Sequence, residues 1–253
     1  MSRAVINIAW KYLPKTFIRV GLIHLLILFF LCRIALKAQS LTGTSGLVSV
    51  PTAEIAADGN LILGVNFLNK KYLEYTKYKY HAMAYFVTLG YLPFLEVSIR
   101  FTRQSLPQEL RKTSVGDRMI SLRLKILKEG IFFPAIVLGC HDIGTTISSG
   151  DARHFNSLYL VGSKIFHFNS IIKNIGFHLG YGADWMKSNH YQFIGFFGGI
   201  SIPINSFSDF MLEHDSKYFN CGIKLLFLGK LQLLVSLMDL NGFSGGISYK
   251  FIL

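Results

Sequence analysis

Four stretches of about ten residues alternate apolar and polar side chains without a break, and this constrains the fold more than any other feature. In Phe94–Arg103, Leu95, Val97, Ile99 and Phe101 oppose Glu96, Ser98, Arg100 and Thr102. In Asp117–Ile126, Ile120, Leu122, Leu124 and Ile126 oppose Ser121, Arg123 and Lys125. In Lys173–Asp184, Ile175, Phe177, Leu179, Tyr181 and Ala183 oppose Asn174, Gly176, His178, Gly180, Gly182 and Asp184. At the C-terminus, Ile247, Tyr249, Phe251 and Leu253 oppose Ser244, Gly246, Ser248 and Lys250. A helix would scatter each class around its circumference, whereas a strand gives each its own face.

Looser versions run through Asn60–Leu68, His81–Leu92, Phe133–Asp142, Asn156–Phe166, Tyr191–Pro203, Ser208–Asp215, Phe219–Leu228 and Leu231–Asp239. Together they predict about twelve strands, within a range of roughly ten to fourteen. Turn residues separate them, as at Leu92-Pro93, Lys128-Glu129-Gly130, Ser148–Asp151, Leu228-Gly229-Lys230 and Asn241-Gly242.

Two architectures use such strands. A soluble sandwich hides its apolar face and runs to ~5–6 residues per strand. A membrane barrel turns that face to lipid with strands of ~9–11 residues. The clean runs have the barrel length. Composition agrees: 51% of the chain is hydrophobic and only 16% charged, with a mean hydropathy of +0.40. The expected fold is therefore an all-β, transmembrane antiparallel barrel over 60–253, ending on its own last strand, Tyr249–Leu253. The sandwich is the alternative.

The N-terminus reads as an export signal. Arg3, Lys11, Lys15 and Arg19 precede an apolar run, Val20–Leu31, and small Ala38 marks a cleavage point. An uncleaved anchor or a lipidated Cys32 are the alternatives; Arg33 and Lys37 cut the run short, and Leu31 is a poor residue before a lipidated cysteine. The leader 1–38 holds 6 of the 26 Lys+Arg and none of the 14 Asp+Glu, so the formal charge falls from +12 to +6 without it. That removes the case for nucleic acid as a partner. Residues 39–59 form a lead-in segment, expected on the periplasmic side or across the lumen.

The polar face is expected to line the interior. It carries Glu96, Arg100, Arg123, Lys125, Lys164, His178, Asp184, Glu213, Asn220, Lys224 and Lys250. Such charges either pair across strands and plug a small barrel or attract an acidic polymer. Twelve strands fall between filled eight-stranded and porous sixteen-stranded barrels. The polar mixture suggests a wet or hydrogen-bonded lumen.

Chemical motifs are weak. Gly242-Phe-Ser244-Gly-Gly246 matches the nucleophile-elbow spacing but opens a terminal strand with no helix after it. His141-Asp142 and His214-Asp215 are adjacent, so on a strand their side chains diverge. A rim hydrolase using His214, Glu213 or Asp215 is the minority reading. No two His have a ligand spacing on one strand face, so no metal is expected, and nothing calls for a cofactor. Cys140 and Cys221 sit with apolar neighbours on the lipid face, on strands too distant for a disulfide. The Tyr- and Lys-rich segment Lys70–Tyr80 suits a loop at headgroup depth.

Several segments also carry a family likeness. They are Gly46-Leu-Val-Ser-Val-Pro51-Thr-Ala through Asp58-Gly59; Gly116-Asp117-Arg118; Pro134-Ala135 through Gly139, Asp142, Gly144 and Thr145; Ser157 to Lys164; and Glu213-His-Asp215 with Asn220-Cys-Gly222. In their order and spacing they resemble the YjbH-type exopolysaccharide-biosynthesis proteins. The resemblance implies a short, single-barrel outer-membrane member, encoded with capsule or exopolysaccharide genes. It implies a non-enzymatic part in polymer production or export, as a channel or an accessory. A scaffolding barrel of a secretion or envelope complex is the second reading. The partners implied are outer-membrane lipid, polysaccharide and other envelope proteins.

Overall fold

The computed structural model describes residues 39–71, 80–105, 117–143, 156–168, 174–186 and 193–253. The export signal therefore lies outside the described residues, as does most of the Tyr- and Lys-rich loop. Each segment that alternates becomes a strand. They are β1 (Asn60–Leu68), β2 (Ala82–Leu92), β3 (Leu95–Gln104), β4 (Asp117–Leu127), β5 (Ala135–His141) and β6 (Ser157–His167). The second half follows with β7 (Asn174–Ala183), β8 (Gly195–Asn205), β9 (Ser208–His214), β10 (Phe219–Phe227), β11 (Leu231–Met238) and β12 (Gly242–Ile252).

Each strand pairs antiparallel with its sequence neighbours, and β1 also pairs with β12, from Asn60 opposite Ile252 to Phe67 opposite Gly245. The sheet is thus a closed barrel with no free edge. Most boundaries shift by one or two residues from expectation, and two of the differences have a clear cause. β8 starts at Gly195 because Phe193 (φ 60°) and Gly195 (φ 84°) both leave the extended region. β7 stops at Ala183, where a single 3-10 turn, Asp184–Met186, begins.

The apolar rows face outward. Ile99, Phe101, Ile120, Leu122, Leu124, Phe177, Leu179, Tyr181, Ile223, Val235, Ile247 and Tyr249 are all exposed. Their polar alternates Glu96, Ser98, Arg100, Ser121, Arg123 and Lys224 are buried. This is the inverse of a sandwich, whose apolar rows would meet in a core. Cys140 and Cys221 lie on the outward rows, half-buried and not in a disulfide.

The two barrel ends differ. At one end β1 starts and β12 finishes, and 93–94, 128–134, 206–207 and 228–230 make short turns. At the other end the connections 69–81, 105–116, 142–156 and 184–194 are longer in sequence, alongside two short ones, 215–218 and 239–241. These are called the turn end and the loop end below.

The lumen is not wet throughout. Met119, Val137, Tyr159, Val161, Phe197, Met211, Leu234 and Met238 also face inward and are buried. They pack with Leu41, Leu47, Val48, Val50 and Ile55 of the lead-in segment. The interior is a mixed core with a second piece of chain inside it.

Candidate functional site

The lead-in segment has no regular structure, only isolated bridges of Gln39 with Ser45 and Gly46 with Pro51. Yet nearly all of 39–56 is buried. Buried backbone N–H and C=O groups must find partners, and a coil cannot supply them all itself. The barrel wall supplies the rest.

The segment is anchored at the turn end by Gln232 at the start of β11. Its side-chain Oε1 accepts from the Gln39 N–H at 2.7 Å, and its Nε2 donates to the Gln39 carbonyl at 2.8 Å. Asn66 of β1 donates to the carbonyls of Ser40 and Leu41. Thr88 of β2 and Ser98 of β3 both donate to the Gly43 carbonyl.

Two carboxylates then hold the segment's donors. Glu96 of β3 accepts from the Ser45 N–H (3.0 Å), the Ser45 hydroxyl (2.5 Å) and the Ala56 N–H (2.6 Å). Glu213 of β9 accepts from three successive amides, Val48 (2.9 Å), Ser49 (2.9 Å) and Val50 (3.0 Å). The Ser49 hydroxyl and Asn220 of β10 complete its shell. Consecutive N–H groups curled around one anion form a backbone nest.

Two cations hold the carbonyls. Arg123 of β4 donates to the carbonyls of Ser45 and Thr52 and to Glu96, the last at 2.9 Å. Lys224 of β10 donates to the Gly46 carbonyl. Ser163 of β6 accepts from the Ala53 N–H at 2.7 Å. The chain then leaves by the turn end, where the Gly59 N–H meets the Gly90 carbonyl and the Leu253 N–H meets that of Gly59.

Two wall glycines make room. A Cβ on Gly90 would lie 2.0 Å from the Ala57 carbonyl oxygen, and one on Gly222 would lie 2.7 Å from a Val48 methyl. Only a hydrogen fits where the segment runs this close.

The residues expected in the lumen separate into three groups. Glu96, Arg123, Glu213, Asn220 and Lys224 converge on the lead-in segment. Arg100 is fully buried beside Asp117, 3.8 Å away, and His178 bonds Ser163 and Ser201. Lys125 and Lys250 are on inward positions but half-buried at the turn end. Two positions are corrected. Lys164 pairs with outward-facing Phe177 while Ser163 points inward, so its ammonium reaches the carbonyls of Gly130 and Ile131 outside the lumen. Asp184 lies on the exposed 3-10 turn beyond β7, not on a strand.

The hydrolase candidates do not assemble. Glu213 and Asp215 share Asn220, but His214 takes the other face and packs against Phe219, tilted, with ring centroids 4.6 Å apart. Ser244 sits within β12 and accepts from the Asn69 N–H. His141 bonds Ser121 at 2.9 Å and packs against Tyr159 and Phe193. Among the described residues, no three His, Cys, Asp or Glu gather as a metal site.

Sequence reasoning placed Ser98 on the inward face but missed the other uncharged polar residues that complete these grips: Ser45, Ser49, Asn66, Thr88, Ser163 and Gln232. The available signal was indirect. Buried carboxylates on facing strands need donors, and a Ser- and Thr-rich segment next to the barrel could provide them.

Known proteins bear on this barrel in three ways. The YjbH family, described as "Exopolysaccharide biosynthesis protein YbjH", matches residues 38–206. A lipoprotein of Escherichia coli (strain K12), described as "Uncharacterized lipoprotein YjbH", is 28% identical over 191 residues, covering 73% of this chain. The chain spans only 23% of that relative's length. Among solved structures, the KdgM porin superposes with a TM-score of 0.46 at 10% identity, covering 76% of this chain and 99% of that one. With two-thirds of its length matched, lead-in segment included, the chain belongs to the YjbH exopolysaccharide-biosynthesis family.

Proposed function

We propose that the protein is an outer-membrane β-barrel that serves exopolysaccharide or capsule production as a non-enzymatic accessory, its lumen closed at rest by residues 39–57. The observation that carries this is the inverted distribution of side chains: exposed apolar rows outside a ring whose charges are buried. Water offers no reason to expose those rows, and lipid does. Closure satisfies every strand's backbone partners, as hydrocarbon demands. The short turns then face the periplasm and the longer connections the exterior.

The filled lumen favours an accessory over a standing channel. Opening would require the segment to leave Glu96, Arg123, Glu213 and Lys224 together. The filled lumen equally suits a scaffolding barrel, and co-purifying secretion components would favour that reading. The outward turn of His214 speaks against a rim hydrolase.

Three measurements test this. The protein is expected to fractionate with outer membranes and to resist extraction without detergent; release as a soluble monomer sinks the membrane reading. Liposomes carrying it are expected to exclude sugars, and ready entry of a monosaccharide refutes resting closure. Deleting the gene is expected to lower surface polymer, and unchanged polymer argues against the exopolysaccharide role.

A further inference from the structure

The turn between β4 and β5 presents an apolar knuckle. Ile131, Phe132 and Phe133 are 87%, 86% and 66% exposed, three consecutive large side chains with little of their surface covered. A loose loop could fold such residues back, but this turn is pinned. The Gly130 N–H donates to the Phe133 carbonyl at 3.0 Å. Lys164 donates to the carbonyls of Gly130 and Ile131 and lies 3.4 Å from Glu129. Glu129 in turn accepts from the Ile165 N–H at 2.8 Å. The first side of the turn is thus fastened to β6, the Gly130–Phe133 bond ties the second side to the first, and the apolar tip stays exposed.

The tip continues an existing surface. Ile126 and Leu127 at the end of β4, Phe166 and Phe168 at the end of β6, and Phe177 of β7 are all exposed. Phe166 and Phe177 stack edge-to-face at 5.4 Å. The outward apolar rows therefore pass into the knuckle, and Lys128 and Lys164 stand beside it. Amphipathic and aromatic side chains flanked by lysine are suited to the boundary between acyl chains and anionic headgroups.

We propose that Ile131–Phe133 is an interfacial anchor that inserts into the periplasmic leaflet, its occupant being glycerophospholipid at the acyl–headgroup boundary. This rests on the membrane reading above. It adds that the β4–β7 wall grips lipid beyond its strand ends, which fixes the depth of that side of the barrel.

The test uses the full-length chain in phosphatidylcholine–phosphatidylglycerol vesicles with brominated acyl chains. Trp10→Phe and Trp185→Phe remove the native indoles. Phe132→Trp then reports on the knuckle, and Leu179→Trp, on the exposed face of β7, reports on the belt. The expected result is loss of Phe132→Trp emission with bromines near the ester end of the chain, and less loss with bromines near the bilayer centre. Leu179→Trp is expected to be quenched as well. If Leu179→Trp is quenched and Phe132→Trp is not, the anchor is wrong and the membrane reading stands. A blue-shifted but unquenched Phe132→Trp means that protein, not lipid, covers the knuckle, and overturns the proposal. If neither is quenched, the membrane reading itself fails.

Discussion

Two opposite walls of the barrel hold the same segment by different chemistry. On β3 and β4, Glu96 has a cation of its own, Arg123 at 2.9 Å, with both side chains wholly buried. Six strands around the ring, on β9 and β10, Glu213 is as deeply buried, but its shell consists of neutral donors: three amides, a serine hydroxyl and the Asn220 amide. Lys224 of β10, which lies opposite Asp209 in the register rather than Glu213, donates to the Gly46 carbonyl. A buried carboxylate can be kept charged by an ion pair or by converging dipoles. The first depends on one partner, while the second is spread over several bonds and depends on backbone shape.

The sharpest way to break this comparison is Arg123→Met. It leaves Glu96 buried without a counter-charge and strips two segment carbonyls of their donor. Removal of one member of a buried pair costs about 3–5 kcal/mol. Thermal unfolding of the detergent-solubilised barrel should show that loss. The double change Glu96→Gln with Arg123→Met should recover part of it, because no charge is then stranded. Equal losses for single and double variants would mean that packing, not charge, dominates this wall.

Glu213→Gln should cost less, about 1–3 kcal/mol. The remaining carbonyl oxygen still accepts, but the new amide group points a donor at donors. The effect should also be local. Amide hydrogen exchange at Val48, Ser49 and Val50 should quicken, while Ser45 and Ala56, held by Glu96, stay protected. Uniform quickening along the segment would show that the two walls act as one.

These grips also show how far sequence can be read. All twelve strands were legible because their two faces answer to different surroundings, as in β3, where Val97 and Ile99 alternate with Ser98 and Arg100. The reading of β6 failed in phase. Tyr159 and Val161 face inward although they are apolar, since the segment offers them an apolar partner, so Lys164 could not be placed by polarity. Asp184 was misplaced by one step past a strand end. The lead-in segment was legible as separate from the barrel but not as its filling. Most of its hydrogen bonds to the wall run through backbone amides and carbonyls, which every residue carries, and those bonds leave no side-chain pattern.

Gly90→Ala probes where the segment leaves the barrel. The added methyl would press on the Ala57 carbonyl. The atoms it would meet are backbone, the carbonyls of Ala56 and Ala57, so the chain itself must shift, and the cost should fall in the range for overpacking, about 1–3 kcal/mol. Exchange should rise at Ala56 before it rises at Val48–Val50. An unchanged unfolding temperature and exchange pattern would mean that this exit is slack.

The smallest effect is expected at the loop end, and it calibrates the others. Lys71 and Asp239 form a close pair at 2.6 Å, shorter than the buried Glu96–Arg123 contact, yet both are partly exposed. Distance alone would rank it first. Solvent screening should reverse that order, since an exposed pair contributes about 0.2–1 kcal/mol. Lys71→Met should therefore shift unfolding only slightly, and raised salt should erase the difference between it and the unaltered protein. The Arg123→Met deficit should survive the same salt, because ions do not reach a pair sealed inside the lumen. If salt abolished both differences alike, the interior would be open to electrolyte, and the contrast between the two walls would have to be recast as one between wetter and drier surfaces.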